Sequence, residues 1–147
     1  MRGNKLVCGG ILTFKSADGG IIIEDVRSGE KASLAKLNDG TSHGPSTTRY
    51  LFNHNGIDFG IQALSQAISA DVTVIDELGQ LELRGEGLIP ALDMIKSGQF
   101  KNCVLVIRKA LLPFYLPQFA IPYCVFETTL ENRNELPQEI GSILLEQ

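Results

Sequence analysis

Two kinds of hydrophobic pattern divide this chain. Residues 6–14 (Leu-Val-Cys-Gly-Gly-Ile-Leu-Thr-Phe) and 21–26 (Ile-Ile-Ile-Glu-Asp-Val) are short apolar runs on either side of Ser16-Ala17-Asp18-Gly19-Gly20. Such runs around a glycine-rich turn predict an antiparallel β-hairpin, with Gly9 and Gly10 marking a bulge or a close backbone approach. Ser28-Gly29-Glu30 turns the chain again, and residues 31–37 predict a third short strand, so the chain opens as a meander. Residues 38–48 are rich in Gly, Ser, Thr and Pro and read as a mobile loop. Residues 49–53 predict a brief strand.

The pattern then changes. Ile57, Ile61, Leu64 and Ile68 recur at the three- and four-residue spacing of an amphipathic helix. Residues 72–75 are an apolar, mainly β-branched run of the kind buried in a parallel sheet. Leu88, Leu92 and Ile95 give another helix, with Gly98 just beyond its end. Residues 103–107 predict a second buried strand, closed by Arg108 and Lys109. Pro113 and Pro117 limit the apolar stretch 111–119 to a short helix or an irregular piece. Residues 123–127 predict a third strand. Leu136, Ile140, Ile143 and Leu144 form a closing helix, with Pro137 tolerated in its first turn. Alternation of helix and strand from residue 57 onward implies an α/β fold with a mostly parallel sheet flanked by helices. Residues 72–75, 103–107 and 123–127 are expected to be parallel and buried. With no repeat, linker or low-complexity tract, residues 1–147 read as a single domain.

Composition narrows the function classes. A net charge of −4 does not suggest a nucleic-acid footprint. No apolar run approaches the roughly 20 residues of a membrane span. Met1-Arg2-Gly3-Asn4-Lys5 leads into an apolar piece broken by glycines and makes a poor signal peptide. Cys8, Cys103 and Cys124 are odd in number, far apart and set in apolar sequence, without metal-ligand spacing. They read as reduced, buried thiols of a cytoplasmic protein. His43 and His54 lie in polar, turn-rich sequence and read as surface residues.

The chemistry concentrates at Val72-Thr73-Val74-Ile75-Asp76-Glu77-Leu78-Gly79. Open α/β sheets bind ligands at the carboxyl ends of their strands, and Asp76 and Glu77 stand at such an end. In P-loop nucleotide hydrolases an Asp there holds Mg²⁺ and a neighbouring Glu orients the attacking water. The competing reading is a solvated acidic pair with no function, within a middle third (71–93) that is acidic throughout. Gly40-Thr41-Ser42-His43-Gly44 is glycine-rich but lacks the Gly-Lys-Ser/Thr ending of a phosphate loop, and no strand leads into it.

Several stretches resemble the small nucleoside-triphosphatases described from thermophiles and as the cancer-related nucleoside-triphosphatase. Gly9-Gly10-Ile11-Leu12-Thr13 is similar to that family's glycine-led strand, residues 21–34 to its following hairpin, and Tyr50 to a Tyr in a short strand. Val74-Ile75-Asp76-Glu77-Leu78-Gly79-Gln80-Leu81-Glu82-Leu83 is similar to its "IDEIGKMEL" signature. Val106-Ile107-Arg108-Lys109 resembles a strand ending in basic residues, and Glu131-Asn132-Arg133-Asn134-Glu135-Leu136-Pro137 resembles "ENRDxLP". The resemblance implies a P-loop-NTPase-like fold. In that reading Asp76 positions Mg²⁺, Glu77 orients water and Arg108 offsets developing charge, while Asn132 and Arg133 lie near the nucleotide base. The plainer alternatives are a solvated cation for Arg108 and a capped turn before the last helix for Asn132 and Arg133.

The family opens with a strand and a phosphate loop ending in Gly-Lys-Thr. No Gly-Lys-Ser or Gly-Lys-Thr occurs in these 147 residues, and Gln80 stands where the family usually has Lys. The first strand and helix are thus expected to be missing. Phosphoryl transfer depends on positioning and charge stabilisation of the phosphates, so the chain is expected to hydrolyse little or nothing by itself. It reads as a module binding a nucleotide (ATP or GTP, with Mg²⁺ only if nucleotide is bound) or a partner. The alternative is half of a split NTPase completed by a phosphate-loop-bearing chain. A truncated reading frame is a third option. An uncovered sheet edge predicts a homodimer, with no nucleic-acid or membrane partner.

Overall fold

Gly9 and Gly10 bring two parallel strands and a helix together at the middle of the sheet. The structure, a computed structural model, describes residues 5–41 and 44–146. Leu6–Ile121 form one compact unit, and residues 122–146 belong to a second. In the larger unit β1 (Cys8–Lys15), β2 (Ile21–Asp25), β3 (Lys31–Leu37), β4 (Tyr50–Phe52), β5 (Val72–Leu78) and β6 (Cys103–Ile107) form one sheet in the order β4-β3-β2-β1-β5-β6. The predicted meander is present: β1 to β4 pair antiparallel in succession. β1 then pairs parallel with β5, and β5 parallel with β6.

The close approach expected at the glycines lies between β1 and β5. Gly10 has a φ of +112°, and a Cβ on it would fall 2.0 Å from the Val74 carbonyl oxygen. A Cβ on Gly9 would meet that of Ala67 at 2.9 Å, so α1 (His54–Ala67) lies tight against β1. Thr73, fully buried in β5, donates from Oγ1 to the Ala67 carbonyl at 3.1 Å. Strand and helix end are thereby joined. Asn53 caps α1, its Oδ1 accepting from Asn55 N–H at 2.8 Å. The face of α1 carrying Ile57, Ala63 and Leu64 enters a core with Ile11, Ile23, Ile75 and Leu78. α3 (Ile89–Lys96) adds Ala91, Leu92 and Ile95 to that core and ends where Gly98 takes a φ of +68°. Between them lies the one-turn α2 (Gln80–Leu83).

Three expectations are corrected. β5 runs through Asp76 and Glu77 to Leu78, rather than stopping at residue 75. β6 is parallel to β5 but stands at the sheet edge, half-buried, with Val106 exposed. Residues 123–127 form no strand. Tyr123 and Val125 are about half exposed (52% and 53%), so β-forming composition alone does not make this segment a strand. The parallel part of the sheet is therefore limited to β1, β5 and β6. Residues 111–119 are irregular as expected, a single turn of helix (α4, Leu112–Tyr115) between two 3₁₀ turns. In the second unit α5 (Leu136–Leu145) carries Pro137 in its first turn.

The thiols also differ from expectation. All three are free, but Cys8 and Cys124 are exposed, one at the very start of β1 and the other in the non-strand segment. Burial pushes the Cys103 thiol up to about 12, which keeps it protonated and unreactive. His54 is exposed at the start of α1, as expected; His43 lies outside the described residues. Among the described residues no helix is long and apolar enough to cross a membrane.

The β1–β5 contact is testable with two alanines. Gly10→Ala should cost about 3 kcal/mol or more, because its Cβ has nowhere to go. Gly29 also has positive φ, +74°, but open space around it, and Gly29→Ala should cost only about 1 kcal/mol. Urea denaturation of the two variants gives the difference.

Candidate functional site

The acidic pair sits on a defect in the sheet. Asp76 pairs with Val106 and Leu78 with Ile107, so Glu77 is one residue extra on β5. The Asp76-Glu77 peptide is cis. A bulge re-aims a side chain and releases its residue from the ladder. Here Glu77 is directed toward Arg108, the first residue after β6, and Arg108 Nε lies 3.5 Å from Glu77 Oε1. The Arg108 side chain is 70% exposed and that of Glu77 32%. A pair this open to water contributes about 0–1 kcal/mol and can be exchanged for another anion at little cost.

Asp76 is half-buried. Burial, and then the neighbouring Glu77 charge, hold its carboxyl above the ordinary value of 3.8. The structure thus brings Asp76, Glu77 and Arg108 together at the carboxyl end of β5 and β6. Asn132 and Arg133 belong to the second unit. There Asn132 serves a local turn: its Oδ1 accepts from Thr129 N–H at 2.7 Å, and its Nδ2 donates to the Glu127 carbonyl at 2.8 Å. Arg133 is exposed. Gln80 is exposed at the first position of α2.

Glu82 and Tyr115 were not among the residues singled out from sequence. Glu82, 7% exposed, accepts the Gly79 N–H on Oε1 at 2.8 Å and the Leu88 N–H on Oε2 at 2.9 Å. Burial holds its carboxyl above the usual range, against the opposing pull of those two N–H groups. Tyr115 is fully buried, and its hydroxyl donates to the Gly79 carbonyl. Burial, then the Glu82 and Glu77 charges, raise its pKa far above 10, so it remains a donor. The spacing of Gly79 and Glu82 is the second half of a capping box, Glu three positions after the helix cap, and that spacing is the local signal by which Glu82 could be found. Nothing local in the proline-flanked stretch around Tyr115 pointed to it.

Oxygen ligands suit Mg²⁺, which binds through one or two carboxylates, water and phosphate oxygens. Among the described residues no cluster of three metal-ligating side chains occurs, so the fit rests on Asp76 with Glu77 beside it. The cost of holding Asp76 is measurable. Its raised pKa means that its ionised form disfavours the folded state. The stability this group contributes is present below 3.8 and lost as pH rises through the raised value. Asp76→Asn should therefore stabilise the ligand-free chain at pH 7, by about 0.5–1 kcal/mol given the solvent screening of a half-exposed group. The gain should shrink as pH falls toward 3.8, which denaturant titrations at several pH values will show.

A family model described as NTPase matches residues 5–141. The nucleoside-triphosphatase THEP1 of Pyrococcus abyssi is 30% identical over 138 residues, covering 83% of this chain and 73% of that protein. THEP1 of Thermococcus kodakarensis is 30% identical over 146 residues, covering 94% and 76%. The crystal structure of THEP1 from the hyperthermophile Aquifex aeolicus superposes with a TM-score of 0.74 at 25% identity, covering 93% of this chain and 83% of that one. With the mixed sheet and its flanking helices matched over nearly their whole length, this chain belongs to the NTPase family as a relative of the THEP1 nucleoside-triphosphatases.

Proposed function

We propose that this chain binds a nucleoside triphosphate together with Mg²⁺ and by itself hydrolyses it little or not at all. The observation that carries the reading is the Glu77–Arg108 pair beside half-buried Asp76. These are the residue types that nucleotide hydrolases use to hold the metal, aim water and meet phosphate charge. Mg²⁺ would be held by Asp76, as a Walker B carboxylate, and would neutralise phosphate charge. Glu77 would hold a water by hydrogen bond, and Arg108 would turn from Glu77 to a phosphate oxygen. These 147 residues contain no Gly-Lys-Ser or Gly-Lys-Thr, so turnover by these residues alone is expected to be weak. ATP and GTP are the natural first ligands. The three free cysteines agree with a reducing, cytoplasmic setting.

A second reading is favoured by β6, which is the last strand of the sheet among the described residues. In it the chain is half of a split NTPase, and a strand of a phosphate-loop-bearing partner pairs along β6. Self-association through the same edge gives a homodimer. The N-terminal strand is not available for that contact, because β1 is paired on both sides, with β2 and β5.

Calorimetry on the chain alone should show ATP or GTP binding that requires Mg²⁺ and is lost in Asp76→Asn, with phosphate release at background level. Steady turnover that disappears in Glu77→Gln would replace this reading with a working hydrolase. Sedimentation at micromolar concentration should show a dimer; a monomer at every concentration removes self-association.

A further inference from the structure

We propose that Tyr115 and Glu82 are positioning residues that aim Glu77 at Arg108 by clamping both ends of the Gly79 residue. The inference rests on the functional reading of Glu77 and Arg108 above.

A bulge residue is not fixed by the sheet ladder, so its direction depends on what fixes the chain on either side. Before Glu77 the register is held by Asp76 against Val106 and Ile75 against Leu105. After it, Leu78 is completely buried and pairs with Ile107. The next residue, Gly79, is then held twice: its N–H by Glu82 Oε1 and its carbonyl by the Tyr115 hydroxyl. Both holding groups are themselves fixed. The second oxygen of Glu82 is engaged by the Leu88 N–H, and a Cβ on Gly87 would lie 2.3 Å from it, so the carboxylate is walled in. Tyr115 sits in the core with no exposed surface. Two buried, hydrogen-bonded side chains thus act on the backbone two residues beyond Glu77, while the Glu77–Arg108 contact itself is too solvent-exposed to hold its own geometry. Outer groups of this kind, which orient a metal- or substrate-facing residue without touching ligand, typically change affinity by 10–100-fold when removed.

Tyr115→Phe removes the hydroxyl and keeps the ring. Glu82→Gln replaces one carboxylate oxygen by an amide that confronts a backbone N–H. Two readings of each variant decide the matter: the Arg108 Nε–H and Gly79 amide resonances without ligand, and calorimetric titration with ATP and Mg²⁺. In both variants the Arg108 Nε–H resonance is expected to move toward its position in Glu77→Gln, with Tyr115→Phe weakening Mg·ATP about tenfold. If the unaltered chain fails to bind Mg·ATP while the Arg108 resonance still moves, the nucleotide reading falls and the positioning role stands. If the Gly79 amide moves in Tyr115→Phe and the Arg108 resonance does not, Tyr115 is a packing residue and the proposal is overturned. Should Glu82→Gln fail to fold, Tyr115→Phe alone decides by the same criterion.

Discussion

The structure depends first on how closely β1 and β5 approach. The Gly10 backbone meets the Val74 carbonyl where no side chain fits, and Gly9 admits the end of α1 against the same strand. Thr73 then bonds the helix end to β5. β5 is the strand that carries Asp76 and Glu77, and these contacts fix its N-terminal half on both the sheet side and the helix side. With that half held in close packing, the carboxyl end can tolerate an extra residue. A bulge in a loosely held strand would let the register slip and turn every side chain to the opposite face. Here Ile75 and Leu78, both fully buried on either side of the acidic pair, keep the register.

The acidic strand end carries a cost in stability. Asp76 and Glu77 are adjacent carboxylates, one half-buried, and the Arg108–Glu77 ion pair is screened by water. Folded domains are stable by only about 5–15 kcal/mol, so an ionised group that opposes folding is a measurable part of the balance. Glu82 shows the contrast. It is more deeply buried than either, yet both of its oxygens accept backbone N–H groups, which makes it a structural brace rather than a reactive group. Three carboxylates within seven residues thus divide between two kinds of work, according to which have partners in the backbone.

Much of this arrangement was legible in the sequence. The β1–β2 hairpin, the helix at Ile57 and Leu64 and the glycine stop at Gly98 all follow from spacing and turn chemistry, because each signal is local. The misreadings of β6, residues 123–127 and the cysteines share one cause. Apolar composition does not say whether a sheet surface exists to receive it. Residues 123–127 have the composition of a buried strand without forming one, and β6 has it while standing at an edge. Cys8 and Cys124 were misjudged for the same reason, since their apolar neighbours are themselves half exposed or at a strand's beginning. Tyr115 is 36 residues from the carbonyl that it holds, and no local pattern carries contacts of that range.

Charge sets the last constraint on the site. Asp76 and Glu77 are adjacent carboxylates, and under the proposed reading a triphosphate brings several further negative charges beside them. At the few ångströms separating such groups, unit charges repel by about 4 kcal/mol even at an effective dielectric of 20. An anionic ligand is therefore opposed unless a cation arrives with it, and a divalent ion reverses the local sign in one step. Protonation of Asp76, already favoured by its burial, relieves the same repulsion more weakly, since it removes one charge where Mg²⁺ supplies two. Arg108 contributes in a different way. Under the proposed reading its exposed bond to Glu77 is surrendered to a phosphate, which frees the Glu77 carboxylate to accept a hydrogen bond from water. Under the proposed reading, metal, phosphate and water then become coupled at one strand end. The strength of that coupling depends on how firmly the buried clamp on Gly79 holds Glu77 in place once Arg108 has turned away.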